Sequence, residues 1–335
     1  MSAQLSVPCS AQLPNRVEIE AASRIVYQAM QTTPQYSWPL INQELGCETW
    51  IKHENHTPVG AFKVRGGLVY FEYLRRRLLA VHGVISATRG NHGLSVGFAA
   101  RRYGVQATIV VPHGNSLEKN AAMRALGVDV IEYGAEFQDS REQAARLAQE
   151  RGLHMIPSFH TDLVAGIASY WMELFCAQPK LDLVLVPIGL GSGICAAIAA
   201  RNALGLSCRI IGVVSAHALA YQKSFRAGHK VESPVSTIIA DGVACRVPDD
   251  IALALIMDQV DDVVAVTDAE VAQAMRLFYT ATHNVAEGAG ALALAAAMQM
   301  KSQLVGRKVG LPLSGGNVDA EQFARILQGS KDGIE

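Results

Sequence analysis

Four short stretches of the chain bring together residue types that could do chemistry. In HTPVGAFKVRGG, residues 56 to 67, Lys63 follows a loop carrying Pro58 and Gly60, stands beside Phe62, and precedes Gly66 and Gly67. A partly desolvated lysine amine is a nucleophile, and small neighbours would let a planar cofactor approach the backbone. Taken alone, a lysine at a helix start is usually solvated. In ISATRGNHGLSV, residues 85 to 96, a strand ends in Thr88, Arg89, Gly90, Asn91 and His92 and runs into a helix. N–H groups there favour an anion such as a carboxylate, with Gly90 and Gly93 leaving room, although a plain turn capped by Asn91 fits too.

In VPIGLGSGICAA, residues 186 to 197, Gly189, Gly191 and Gly193 form a turn between strand and helix, an arrangement that cradles phosphate in N–H groups. It lacks the Gly-Lys-Ser/Thr ending of a P-loop and has GxGxG instead of GxGxxG. The next strand ends in Ser215 where a dinucleotide site would want an acid. In LPLSGGNVD, residues 311 to 319, Ser314 ends a strand before two glycines, and its hydroxyl could serve a buried heteroatom or only a polar turn. Other signals are weaker. His53 and His56 lack the HExxH spacing, Ser192 is not in GxSxG, and Glu287 is a lone acid beside an apolar helix, either buried and paired or exposed. No metal site is expected.

These motifs need a scaffold, and the chain supplies one of alternating elements. From Gly83 onward, strands at 84–88, 108–112, 129–133 and 154–158 alternate with helices at 91–103, 116–126 and 137–151. A second series has strands near 181–187, 209–214, 263–266 and 308–313. Strand and helix in alternation imply βαβ units and parallel sheets. The two series predict two lobes: a small one, 83–158, inserted in a large one, 16–82 and 159–328. A loose arm, 1–15, and a flexible tail, 329–335, complete the chain. The Ala-rich helix near 285–300 should lie between layers.

The chain has 335 residues, half of them apolar, enough for more than one core. With 29 basic against 30 acidic residues it offers no field for a polyanion, and nucleic acid is not an expected partner. The six cysteines show no CxxC pair and read as reduced thiols of a cytoplasmic protein. The first residues lack the features of a secretory signal, and the apolar run 183–200 is broken by Pro187 and the glycine cluster, so no membrane segment is expected.

Taken in order, AFKVRGG, SATRGNHG, the glycine loop at 189–193, the acid in VAEGAGA and LSGGNVD resemble the fold type II pyridoxal-phosphate (PLP) enzymes. More narrowly they resemble the serine/threonine dehydratase family, which includes the serine racemases, over residues 20 to 328. The resemblance implies an α/β fold of the tryptophan synthase beta type, with two mostly parallel sheets flanked by helices. It implies that pyridoxal 5'-phosphate is held by Lys63 as a Schiff base with Phe62 beside the ring, Asn91 on the ring hydroxyl, Gly189, Gly191, Ser192 and Gly193 around the phosphate, and Ser314 at the pyridine nitrogen. Thr88, Arg89, Gly90, Asn91 and His92 would meet the substrate.

The implied reaction is dehydration and deamination of a 3-hydroxy amino acid such as threonine or serine to a 2-oxo acid and ammonia, by a homodimer or higher homo-oligomer. Racemisation, β-replacement and a non-catalytic binding protein are the alternatives. Three departures stand out. Arg89 replaces the usual serine or alanine, which in the racemases is a serine base. Val59 to Lys63 loses two hydroxyls relative to the usual TGSFK. Ser215 replaces a metal-binding acid of some relatives. No C-terminal regulatory domain follows the last motif, so end-product control is not expected.

Overall fold

The computed structural model describes residues 12–77 and 82–329. Its two sheets are built from ten strands: β1 (Gln35–Tyr36), β2 (Glu48–His53), β3 (Val84–Ala87), β4 (Ala107–Val111), β5 (Asp129–Glu132), β6 (His154–Met155), β7 (Leu183–Pro187), β8 (Arg209–Ser215), β9 (Asp262–Val266) and β10 (Lys308–Leu313). The larger sheet runs β1-β2-β10-β7-β8-β9 and the smaller β5-β4-β3-β6. All pairings are parallel except β1 with β2. The fold is α/β with two mostly parallel sheets, as expected.

The central strands read as continuous β-branched and leucine runs because helices cover both of their faces. Leu183, Val184, Leu185, Ile210, Val213, Val309 and Leu311 are all buried, and each fully buried aliphatic side chain contributes roughly 1.5–3 kcal/mol. The helix Gly288–Gln299 is buried on every side, so its sequence is apolar throughout instead of amphipathic.

Several details differ from the sequence expectation. β2 lies inside the larger sheet, beside β10, although no strand is expected before Gly83. The strand expected over 154–158 stops at Met155, since Pro157 has no N–H for the ladder. The arm is not loose throughout: Leu13 packs on the large core and Asn15 caps the helix Arg16–Val26, accepting from Glu18 N at 3.1 Å. Residues 1–11 and 330–335, which hold most of the arm and tail, lie outside the described residues.

One helix ties the Lys63 motif to the core of the smaller sheet. The helix Lys63–Arg77 packs its Val64, Leu68, Val69 and Phe71 with Leu94, Val96 and Ala99 of the helix Asn91–Tyr103, in the cluster that also contains Ile109 and Val111 of the smaller sheet. Gly67 permits this close approach, since a Cβ there would lie 2.3 Å from Ser95 Oγ. Gly66 faces Leu163 O in the same way. The glycines after Lys63 therefore serve helix packing, not access of a planar cofactor to the backbone.

Candidate active site

In open parallel α/β sheets, ligands collect beyond the carboxyl ends of the strands. A cavity of about 1000 Å³ lies there, lined by the start of the helix at Lys63 and by the loops after β3, β7 and β10. The four motifs, separated by up to 250 residues, meet around this one space.

Lys63 lies at the first position of its helix, its Nζ donating to Ser192 Oγ at 3.2 Å and standing 5.2 Å from the centroid of the Phe62 ring. No acid pairs with it among the described residues, and burial pushes its amine down to about 8. Lys52 is the useful contrast, because its Nζ is occupied by Glu173 Oε2 at 2.5 Å and by Thr33 O at 2.8 Å. Of these two lysines, Lys63 is the one available for chemistry. Backbone contacts tie its loop to the β10 loop: Phe62 N donates to Ser314 O at 3.0 Å, and Ala61 bridges Gly315. Ser314 is buried at the cavity wall, with its Oγ 3.4 Å from Ala289 O.

The glycine loop after β7 ends in the helix Ser192–Ala203, whose first N–H groups have no intrahelical partners. Gly191 adopts φ 102°, and a Cβ there would lie 2.4 Å from Ala252 Cβ. A Cβ on Gly189 would come within 2.7 Å of Gly242 O. The loop has no room for side chains at these positions and lines the cavity together with the helix start, whose unpartnered N–H groups suit a phosphate.

Thr88, Arg89, Gly90, Asn91 and His92 line the same cavity. Thr88 Oγ1 accepts from Gly90 N at 3.0 Å. His92 is held neutral, its ring pushed down to about 3 by burial and by Lys63, and its Nε2 has no hydrogen-bond partner. Arg89 is half-buried, lines the cavity and makes no ion pair among the described residues. Gly93 does not open this wall: a Cβ there would meet Met123 Sδ at 2.4 Å, so its smallness serves helix packing.

The structure decides between the two readings of Glu287 and adds two residues, Lys119 and Arg141, that the motifs do not reveal. Glu287 is buried and paired, its Oε1 accepting from Asn91 Nδ2 at 2.5 Å and its Oε2 lying 3.5 Å from Lys119 Nζ. Burial pushes Glu287 up to about 7 against the opposing pull of Lys119. Lys119 also bonds Asp241 Oδ2 at 2.9 Å. Burial would lower the Lys119 ammonium, but Asp241 and Glu287 outweigh it and hold its pKa above the ordinary value. Arg141, from the helix Phe137–Arg151, also lines the cavity. Lys119 lies in an ordinary polar helix sequence and Arg141 in a charged one, so neither carries a local signal.

The donor set fits pyridoxal phosphate: a buried amine free of acids, an aromatic ring beside it, exposed N–H groups for a phosphate, and a hydroxyl that can meet a ring nitrogen without imposing a charge. A family model described as "Pyridoxal-phosphate dependent enzyme" matches residues 26–315. The chain is 33% identical over 322 residues to the L-threo-3-hydroxyaspartate ammonia-lyase of Saccharomyces cerevisiae, covering 96% of this chain and 98% of the relative. It is 31% identical to the serine racemase of Schizosaccharomyces pombe, covering 94% and 98%. Among solved structures, maize serine racemase superimposes with a TM-score of 0.87 at 27% identity, covering 96% of this chain and 99% of that one. The chain belongs to the pyridoxal-phosphate-dependent enzymes, in their fold type II branch.

Proposed function

We propose that this enzyme is an ammonia-lyase that removes the β-hydroxyl and the amino group of a 3-hydroxy amino acid, with Lys63 as its base. The observation that carries the reading is Lys63 itself, an amine lowered to about 8 with no acidic partner among the described residues, in contact with Ser192 at the helix start that ends the glycine loop and lining the same cavity as that loop. Pyridoxal phosphate, when bound, supplies an electron sink for the pair released at the substrate's α-carbon. The Lys63 Nζ takes the α-proton, for which a pKa near neutrality is well matched. The N–H groups of the Thr88–His92 loop orient the α-carboxylate, and neutral His92 adds a ring nitrogen without repelling Lys63. Ser314, a neutral hydroxyl, does not stabilise a protonated ring nitrogen as a carboxylate would, which favours quick loss of the β-hydroxyl over a long-lived carbanion.

Arg89 bears on which substrate is taken. Its guanidinium stays protonated and cannot act as a second base, which argues against efficient racemisation. Lining the cavity without an acidic partner, it is suited to a substrate whose β-carbon carries a carboxylate, as 3-hydroxyaspartate does. Ammonia and 2-oxo acid release, measured over serine, threonine and threo-3-hydroxyaspartate, tests both points. Arg89→Ser should selectively lose the acidic substrate. An unchanged profile removes Arg89 from substrate recognition, and L- to D-serine exchange faster than pyruvate release overturns the lyase reading. Borohydride should fix the cofactor on the peptide containing Lys63.

A further inference from the structure

We infer that Asn317 and Glu287 are positioning residues that lock the Asn91 amide in one of its two flips, so that it offers the cofactor's phenolic oxygen an N–H. The inference rests on the reading that Asn91 meets that oxygen, and it starts from a group whose role is beyond choice. The Val59 carbonyl can only accept, so the Asn317 atom 2.8 Å from it must be the amide nitrogen. The same nitrogen lies 2.8 Å from the Asn91 side chain and has a second proton to give. The Asn91 atom on that side is therefore Oδ1. Its Nδ2 then points the other way, to Glu287 Oε1 at 2.5 Å, a carboxyl oxygen that accepts.

Asn91 Nδ2 carries two protons, and Glu287 takes one. Asn91 itself lines the cavity; its nitrogen edge is turned toward Glu287, which lines the cavity too, and its oxygen edge toward Asn317, which does not. The second N–H of Asn91 has no partner among the described residues and is left for the ligand. A donor there favours a deprotonated phenolic oxygen over a hydroxyl, because a hydrogen bond to an anion is the stronger one. Gly315 belongs to the same device: a Cβ on it would lie 2.2 Å from Glu287 Oε1, so only glycine lets the carboxyl reach Asn91. This gives the glycine and the asparagine of LSGGN roles that neither has as part of a turn.

The test reads the absorption of the holoenzyme, whose long-wavelength band reports the deprotonated oxygen and whose near-ultraviolet band reports the hydroxyl form. Asn317→Ala should move intensity from the first band to the second and weaken PLP binding about tenfold, the scale of one hydrogen bond to a charged group. Glu287→Leu should do the same, while Glu287→Gln, which keeps an accepting oxygen, should retain the wild-type spectrum. If Asn317→Ala unfolds, Asn317→Ser, with one donor left, should give a spectrum between the two. An unchanged band in the Asn317 and Glu287→Leu variants, with a shifted one in Asn91→Ala, overturns the inference and leaves the Asn91 contact standing. An unchanged band in Asn91→Ala overturns both.

Discussion

The chain buries two charge clusters close to Lys63 in the fold, and they are built on different terms. In the first, Arg65 holds Glu54 with Nε and Nη2 at 2.7 and 2.9 Å, and reaches Glu173 with Nη1 at 2.6 Å, while Lys52 takes the other oxygen of Glu173. Two cations face two carboxylates, and Ser169 and Thr33 fill the remaining positions. In the second, Lys119 alone faces Asp241 and Glu287, and Glu287 Oε2 has no hydrogen-bond partner. The balanced cluster ties β2 and the helix Thr161–Ala177 to the helix that carries Lys63. The unbalanced one lines the cavity and links the helix Leu117–Ala125, which follows β4 of the smaller sheet, to loops that connect strands of the larger sheet. The balanced cluster holds backbone elements together, and the one with spare capacity lines the cavity.

The largest effect expected is on neither cluster but between them. Lys63→Ala should lower turnover by about a thousandfold, within the range for removing a general base, while thermal stability changes little. Ammonia release and a melting curve read the two quantities separately. Arg65→Met should do the reverse, because it leaves two buried carboxylates without their main partner, at a cost of about 3–5 kcal/mol in urea unfolding. A comparable loss of stability in Lys119→Met would erase the distinction. For Lys119→Met the expectation is a loss of only about 1 kcal/mol, since Glu287 can take up a proton instead of remaining charged. Its kcat/KM should nevertheless fall, because Glu287, which holds the Asn91 amide, loses its tie to the helix Leu117–Ala125.

The smallest effect is a difference in pH response. The Glu173 carboxyl is held below its ordinary 4.5, where burial would raise it but Arg65 and Lys52 prevail. Its stabilisation is present above that value and is lost as pH falls. Glu287 is shifted the other way, from 4.5 up to about 7, so the folded state binds its proton more tightly. That contribution is full below pH 4.5 and is lost as pH rises through about 7. Glu287→Gln should flatten the decline in melting temperature across this window and leave acid unfolding unchanged. A variant that melts with the wild-type pH profile places the Glu287 proton elsewhere.

Much of the fold is legible along the chain because strand and helix announce themselves locally. The helices Asn91–Tyr103 and Phe137–Arg151 begin and end where the sequence places them. β1 and β2 are not expected, since Glu48–His53 carries lysine, glutamate, tryptophan and histidine in place of a β-branched run. Its polar members are partnered only after folding: Lys52 by Glu173, and His53 by the indole N–H of Trp38 at 3.0 Å.

The site divides along the same line. Sequence alone determined which residue types could act: a lysine between an aromatic and a glycine pair, a glycine turn between strand and helix, and a hydroxyl at a strand end. These are properties of neighbours in the chain, and spacing reveals them. Only the tertiary structure decided that Glu287 is buried beside Asn91, that Lys119 reaches it from the helix after β4, and that Asn317 sets the direction of an amide. It likewise decided that Gly66, Gly67 and Gly93 serve packing and not ligand access. A charge acquires its proton affinity, and a glycine its necessity, from atoms that are distant in sequence and a few ångströms away in space.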